Sequence, residues 1–207
     1  MQPIKSRQAM ETGLAALARR DAALRELWQR AGTPRLRRRR SGFAGLLRVI
    51  VGQQLSVAAA STIWGRLLAA VDPVTPEAFL DLPPERLRAL GFSRQKLAFG
   101  QELARAVADG RLSFASLARL GDAEAIAALS AIKGVGRWTA ECYLLFVHGR
   151  PDIWPAQDLA LATAYQRLMR LPQRPRPPEL DVVAEAWQPW RSVAARLLWH
   201  GYGKAVL

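Results

Sequence analysis

A chain of 207 residues, half of them apolar, is long enough to bury its own core and fits one domain, or one domain in two lobes. Thirty Lys and Arg against seventeen Asp and Glu leave a formal charge of +13, which makes a polyanion the first partner to consider, and the excess of Arg over Lys suits forked contacts to phosphate. One cysteine, Cys142, excludes an intrachain disulfide and a cysteine-ligated iron–sulfur cluster, and the two distant histidines, His148 and His200, offer no metal-ligand spacing. With no export-type N-terminus and no run of about 18 apolar residues, a cytoplasmic protein away from the membrane is expected.

Residues 8–30 carry Leu14, Leu17, Leu24, Leu27 and Trp28 at amphipathic helix spacing, with one break near Arg20 and Asp21. Gly32-Thr33-Pro34 ends that stretch, and Arg35 to Arg40 follows as a basic run, either a solvated loop or an arm for a nucleic-acid backbone. Two apolar helices, 43–51 and 57–70, flank Gly52-Gln53-Gln54-Leu55-Ser56. In that joint Ser56 suits an N-cap, while the adjacent amides are either caps or polar fingers able to bond base edges in both directions.

Thr75-Pro76-Glu77 starts a short helix in the cap-then-proline manner, and Pro83-Pro84 precedes another that ends at Gly91. Ser93 caps a long amphipathic helix through Ala108, and short helices follow at 114–120 and 122–129. A helix over 137–147, a Pro-marked segment 152–157, a helix over 159–169 opened by Asp158, a helix over 179–187 and a last one through Trp199 complete the chain. Hardly any segment alternates with period two, so the expected fold class is all-α.

Gly134 and Gly136, one residue apart between two helices, form a hairpin whose backbone N–H groups can face an anion at the start of the following helix. A plain turn between packed helices is the competing reading of Gly-x-Gly alone.

Taken with Asp158, twenty-two residues after Gly136, the stretch Ile132-Lys133-Gly134-Val135-Gly136-Arg137-Trp138-Thr139-Ala140 resembles the helix-hairpin-helix and Gly/Pro-Asp signature of the DNA glycosylase superfamily. Residues 49–60 and Trp187-Gln188-Pro189-Trp190-Arg191-Ser192 resemble stretches of its 3-methyladenine DNA glycosylase II branch, so the likeness runs in register from about Gly32 to Trp199. Lys133 departs from it, standing where the family often has Pro.

The resemblance implies a two-lobed helical glycosylase fold without the N-terminal β-rich domain of bacterial relatives. One lobe would comprise about 43–147 and the other 1–42 plus 148–207. It implies a monomeric, monofunctional base excision repair enzyme that hydrolyses the N-glycosidic bond of alkylated purines in double-stranded DNA. Bifunctional members place a Schiff-base Lys two residues after the second hairpin glycine, and here that position is Trp138. Asp158 would be the catalytic carboxylate, with Trp138 and Trp199 lining the base pocket. Gln54, Leu55 and Ser56 would enter the minor groove, with Gln54 as plug and Leu55 the neighbouring candidate. Gly134, Val135 and Gly136 would hold a phosphate through N–H groups. No cofactor is expected beyond a monovalent cation bridging hairpin carbonyls to the phosphate when DNA is bound. The alternatives are a non-catalytic helix-hairpin-helix DNA-binding module and a helical scaffold for RNA or protein.

Overall fold

The computed structural model describes residues 3–36 and 40–207, and among them every regular element is helical, as expected. The first amphipathic stretch is two helices, α1 (Arg7–Arg20) and α2 (Ala22–Ala31). Asp21 makes the break: its backbone is extended (φ −131°, ψ 109°), and its Oδ1 accepts the Leu24 N–H at 3.0 Å as the cap of α2. Next come α3 (Phe43–Gly52), α4 (Val57–Ala70), α5 (Pro76–Leu80), α6 (Pro84–Ala89), α7 (Arg94–Ala108), α8 (Phe114–Leu117), α9 (Asp122–Ser130) and α10 (Arg137–Tyr143). The predicted caps Ser56, Thr75 and Ser93 each accept the N–H three residues on, which is why these helices begin where the sequence suggests. The single helix expected over 137–147 instead widens after Tyr143 into a π-helical turn, Leu144–His148. α11 (Leu159–Leu168), α12 (Pro177–Glu185) and α13 (Arg191–Gly203) follow, the last running four residues beyond the expected end at Trp199. No helix among the described residues is long and apolar enough to cross a membrane.

The chain divides into two units, Met1–Arg38 with Leu144–Leu207, and Arg39–Tyr143. In the first, α13 is the hub: it packs on α1, α2 and α11, and Val193, Ala194, Ala195, Leu197 and Leu198 are all buried. Its start is fastened to the segment that leads toward Asp158. Arg191 grips Asp152 through two parallel bonds, Nε to Oδ1 at 2.9 Å and Nη2 to Oδ2 at 2.8 Å. Ser192 Oγ accepts the Ile153 N–H at 2.8 Å and donates to Ile153 O at 3.0 Å. Trp187 packs edge-on against Trp154 and Tyr165 and donates Nε1–H to Asp21 Oδ2 at 2.8 Å, tying the α1–α2 corner to the end of α12.

Both histidines lie in this unit with proton affinities below the ordinary value of 6.5. For His148 the causes are burial, then Arg150 and Lys5; for His200, burial, then Lys204, with Arg35 adding to it. Below about pH 6.5 the unfolded chain therefore takes up protons that the folded chain refuses, and stability falls as pH drops. A melting temperature that declines from pH 7 to pH 5.5, with a shallower decline in His148→Gln, is the expected result of thermal scans.

In the second unit α3 is almost wholly buried and packs on α4, α7 and α10, while α7 also covers α5 and α6. Phe79 sits between the Phe43 and Phe92 rings at 5.9 and 5.8 Å. The Tyr143 hydroxyl accepts the Gly42 N–H at 3.1 Å, and burial pushes its pKa up to about 12, so it serves here as a neutral structural group.

Candidate active site

Asp158 begins α11 with an extended backbone (φ −75°, ψ 118°), and its Oδ1 accepts the Leu161 N–H at 2.8 Å. That bond alone would describe an ordinary N-cap. A second donor arrives at the same oxygen: Trp199 Nε1–H, from α13, at 2.9 Å. The Asp152 and Ser192 tethers explain how residues forty-one apart meet, because they fix the 151–153 segment to the first turn of α13 and Trp199 follows two turns later. Both side chains are half-buried, so the carboxylate is reachable while its orientation is set from two directions.

Trp199 stacks on Phe146 of the π-helical turn (centroids 5.2 Å apart, planes at 28°), and the Arg196 guanidinium lies 4.9 Å from the Phe146 centroid while donating to Leu145 O at 2.5 Å. Phe146 and Arg196 were not singled out by sequence reasoning. The helical interval between Arg196 and Trp199 was the available signal for a shared face. Trp199→Phe keeps the stack but removes the donor to Asp158. Loss of one bond to a charged acceptor, about 1.5 kcal/mol, should lower the melting temperature by a few degrees and, by leaving Asp158 held by its cap bond without the indole, slow base release by roughly tenfold.

The remaining predicted residues belong to the second unit. The hairpin between α9 and α10 is closed by Val135 N–H to Ile132 O at 2.9 Å, with the Ile132 and Val135 side chains buried. Val135 is thus occupied as an anchor, which narrows the three-amide cradle expected from the sequence to Gly134 and Gly136. Those two N–H groups make no hydrogen bond among the described residues. Gly134 has φ +92°, and a Cβ there would lie 2.1 Å from the Phe99 ring; around a Cβ at Gly136 nothing lies within 4 Å. One glycine is demanded by the fold, and the other leaves open approach for a ligand. Ile132 O and Gly134 O each accept one hydrogen bond and keep a second lone pair, so the donor set is compatible with a monovalent cation shared with a phosphate.

Trp138 is the second residue of α10 and half-buried. Gln54, Leu55 and Ser56 are exposed at the α3–α4 turn, with Gln54 left-handed at φ 55° and Leu55 39% exposed. Val57, 67% exposed beside them, adds apolar surface that its place in an apolar helix concealed. Lys96 donates Nζ–H to Val51 O and Gln53 O at 2.6 Å each, holding the C-terminal end of α3, and burial lowers its pKa. Of the basic run, Arg40 pairs with Asp72 at 2.8 Å, while Arg37, Arg38 and Arg39 lie outside the described residues. No cluster of metal-ligating side chains occurs among the described residues.

Residues 47–192, which include both the hairpin and Asp158, match the family described as HhH-GPD superfamily base excision DNA repair protein. The chain belongs to that superfamily. Among individual HhH-GPD relatives, DNA-3-methyladenine glycosylase 1 of Schizosaccharomyces pombe is 33% identical over 95% of this chain and 91% of its own length. DNA-3-methyladenine glycosylase 2 of Escherichia coli is 31% identical over 76% of this chain, which spans 56% of that protein. The solved structure of the S. pombe 3-methyladenine DNA glycosylase in complex with abasic DNA superposes with a TM-score of 0.85 at 32% identity, covering 91% of this chain and 95% of that one. The all-helical HhH-GPD architecture is therefore shared.

Proposed function

We propose that this HhH-GPD protein is a monofunctional DNA glycosylase that releases alkylated purines from duplex DNA and leaves an abasic site. The observation that carries the reading is Asp158 Oδ1, which accepts both the α11 cap bond and the Trp199 indole N–H. A cap needs only the first of these. A carboxylate whose rotamer is fixed from two sides, yet half-exposed, suits a group that must face a reacting sugar. The names of the relatives, 3-methyladenine glycosylases at 31–33% identity, point to the same substrate class.

Methylation at a ring nitrogen makes the base cationic and a good leaving group. As the bond between C1′ and the base nitrogen breaks, its electron pair leaves with the base and positive charge develops on the sugar. Asp158 stabilises that charge and takes a proton from the water whose oxygen bonds to C1′. No Lys stands at position 138 to form a Schiff base, so the strand is left intact. Trp199, beside Asp158, supplies an electron-rich face for a cationic base, worth about 0.5–2 kcal/mol. Gly134 and Gly136 hold a backbone phosphate, and the Gln54–Leu55 tip fills the gap left by the extruded nucleotide. The reaction as proposed requires no cofactor.

The test is incubation with duplex DNA carrying methylated purines. Free base and abasic sites cleaved only on heating are expected; strand nicking without heat would sink the monofunctional reading, and no release from any alkylated purine would sink the enzyme.

A further inference from the structure

The adjacent amides Gln53 and Gln54 have opposite fates. Gln54 stands exposed in the left-handed region at the tip of the turn, whereas Gln53, with φ −56° and ψ 130°, sends its side chain inward. Its Nε2 donates to Gly134 O at 3.0 Å and to Thr139 Oγ1 at 2.9 Å. Both acceptors belong to the hairpin motif: Gly134 is its tight turn, and Thr139, 3% exposed, lies in the first turn of α10. α7 supports the same pair of elements, Lys96 through the carbonyls of Val51 and Gln53, and Phe99 as the floor under Gly134. Gln53 thus bonds the turn directly to the hairpin.

We propose that Gln53 is a positioning residue that sets the register between the phosphate hairpin and the Gln54–Leu55 tip, so that backbone grip and entry into the base stack act as one rigid piece. The inference rests on the function proposed above. A tip held at a fixed place relative to a gripped phosphate has no ordering left to do when it enters the stack. A loosened tip must be ordered at the moment the base is unstacked, which is already the costly step. Loss of Gln53 should therefore slow extrusion while sparing affinity and bond cleavage.

The variant is Gln53→Met, similar in length and lacking the donor, with single-turnover release of 7-methylguanine measured at saturating protein. Two duplexes are compared, one with the lesion paired to cytosine and one with it in an unpaired bulge, where extrusion costs least. Release from the paired lesion should slow about tenfold, and release from the bulge should stay within about twofold of wild type. Affinity for an abasic-site duplex should stay within about threefold, and a 2-aminopurine placed beside the paired lesion should brighten less than with wild type. Thr139→Val, which removes one acceptor and keeps Gly134 O, should move the same readouts in the same direction by less, and it carries the test if Gln53→Met fails to fold. Equal slowing on both duplexes, no slowing, or loss of affinity would overturn the inference. If wild-type protein releases base from neither duplex, the proposed function fails separately, and the 2-aminopurine contrast between wild type and variant still decides whether Gln53 registers the tip.

Discussion

Asp158→Asn should abolish base release, by about 10²–10³-fold or more in single-turnover rate, while leaving the fold and the affinity for abasic DNA almost unchanged. The reasoning separates two duties of one side chain. As the cap of α11, Asp158 uses Oδ1 to accept the Leu161 N–H, and an Asn amide oxygen can accept it about as well. The Trp199 indole can likewise donate to that oxygen. What Asn cannot supply is negative charge beside a developing sugar cation, or a base for the attacking water. A melting temperature within a few degrees of wild type together with lost release is the expected pair of results. Retained release would show that Asp158 is only a cap and would favour a non-catalytic DNA-binding module.

The second large effect divides the hairpin glycines. Gly134→Ala should unfold the hairpin, because a Cβ would sit 2.1 Å from Phe99 Cγ and 2.4 Å from its Cδ1 on a backbone held at φ +92°. Backbone strain and overpacking together predict a loss of about 3 kcal/mol or more. Gly136→Ala should cost the fold less than about 1 kcal/mol, since nothing lies within 4 Å of the new methyl, yet weaken duplex binding about tenfold where that methyl meets the phosphate. Urea melts and a binding titration on the two variants check both halves. Unchanged binding by Gly136→Ala would leave the hairpin as a plain turn.

Helix positions were largely legible in the sequence because their caps are explicit. Ser56, Thr75, Ser93 and Asp158 each accept the N–H that a cap should. The tight turn at Gly134 and Gly136 was equally plain, because Gly-x-Gly between two helical patterns marks a turn, although not what that turn binds. What remained hidden depended on side-chain direction. Nothing in Gln53-Gln54 says which amide turns inward; the left-handed φ of Gln54 and the carbonyls of Val51 and Gln53 gathered by Lys96 decide that. That the Val135 N–H closes the turn on Ile132 O is likewise a tertiary fact that Gly-Val-Gly does not announce. Phe146 was invisible because a helical period extrapolated from Arg137 runs out where the backbone widens at Leu144. Arg191 and Ser192 carried the family likeness, but their work as a clasp on Asp152 and Ile153 needed coordinates.

That clasp bears on ionic strength. The Asp152–Arg191 pair is bidentate, with side chains only 20% and 28% exposed, and Ser192 is fully buried. Dissolved ions screen such contacts weakly, whereas a chain of net charge +13 meets DNA through exposed cations whose counterion exchange makes affinity fall steeply with salt. Raising NaCl should therefore loosen the complex without disturbing the machinery inside it. Single-turnover rates at saturating protein should stay nearly flat between about 50 and 200 mM salt while duplex affinity drops by an order of magnitude or more. Multiple-turnover rates should pass through a maximum between those limits, where the abasic product departs more freely and damaged substrate is still captured.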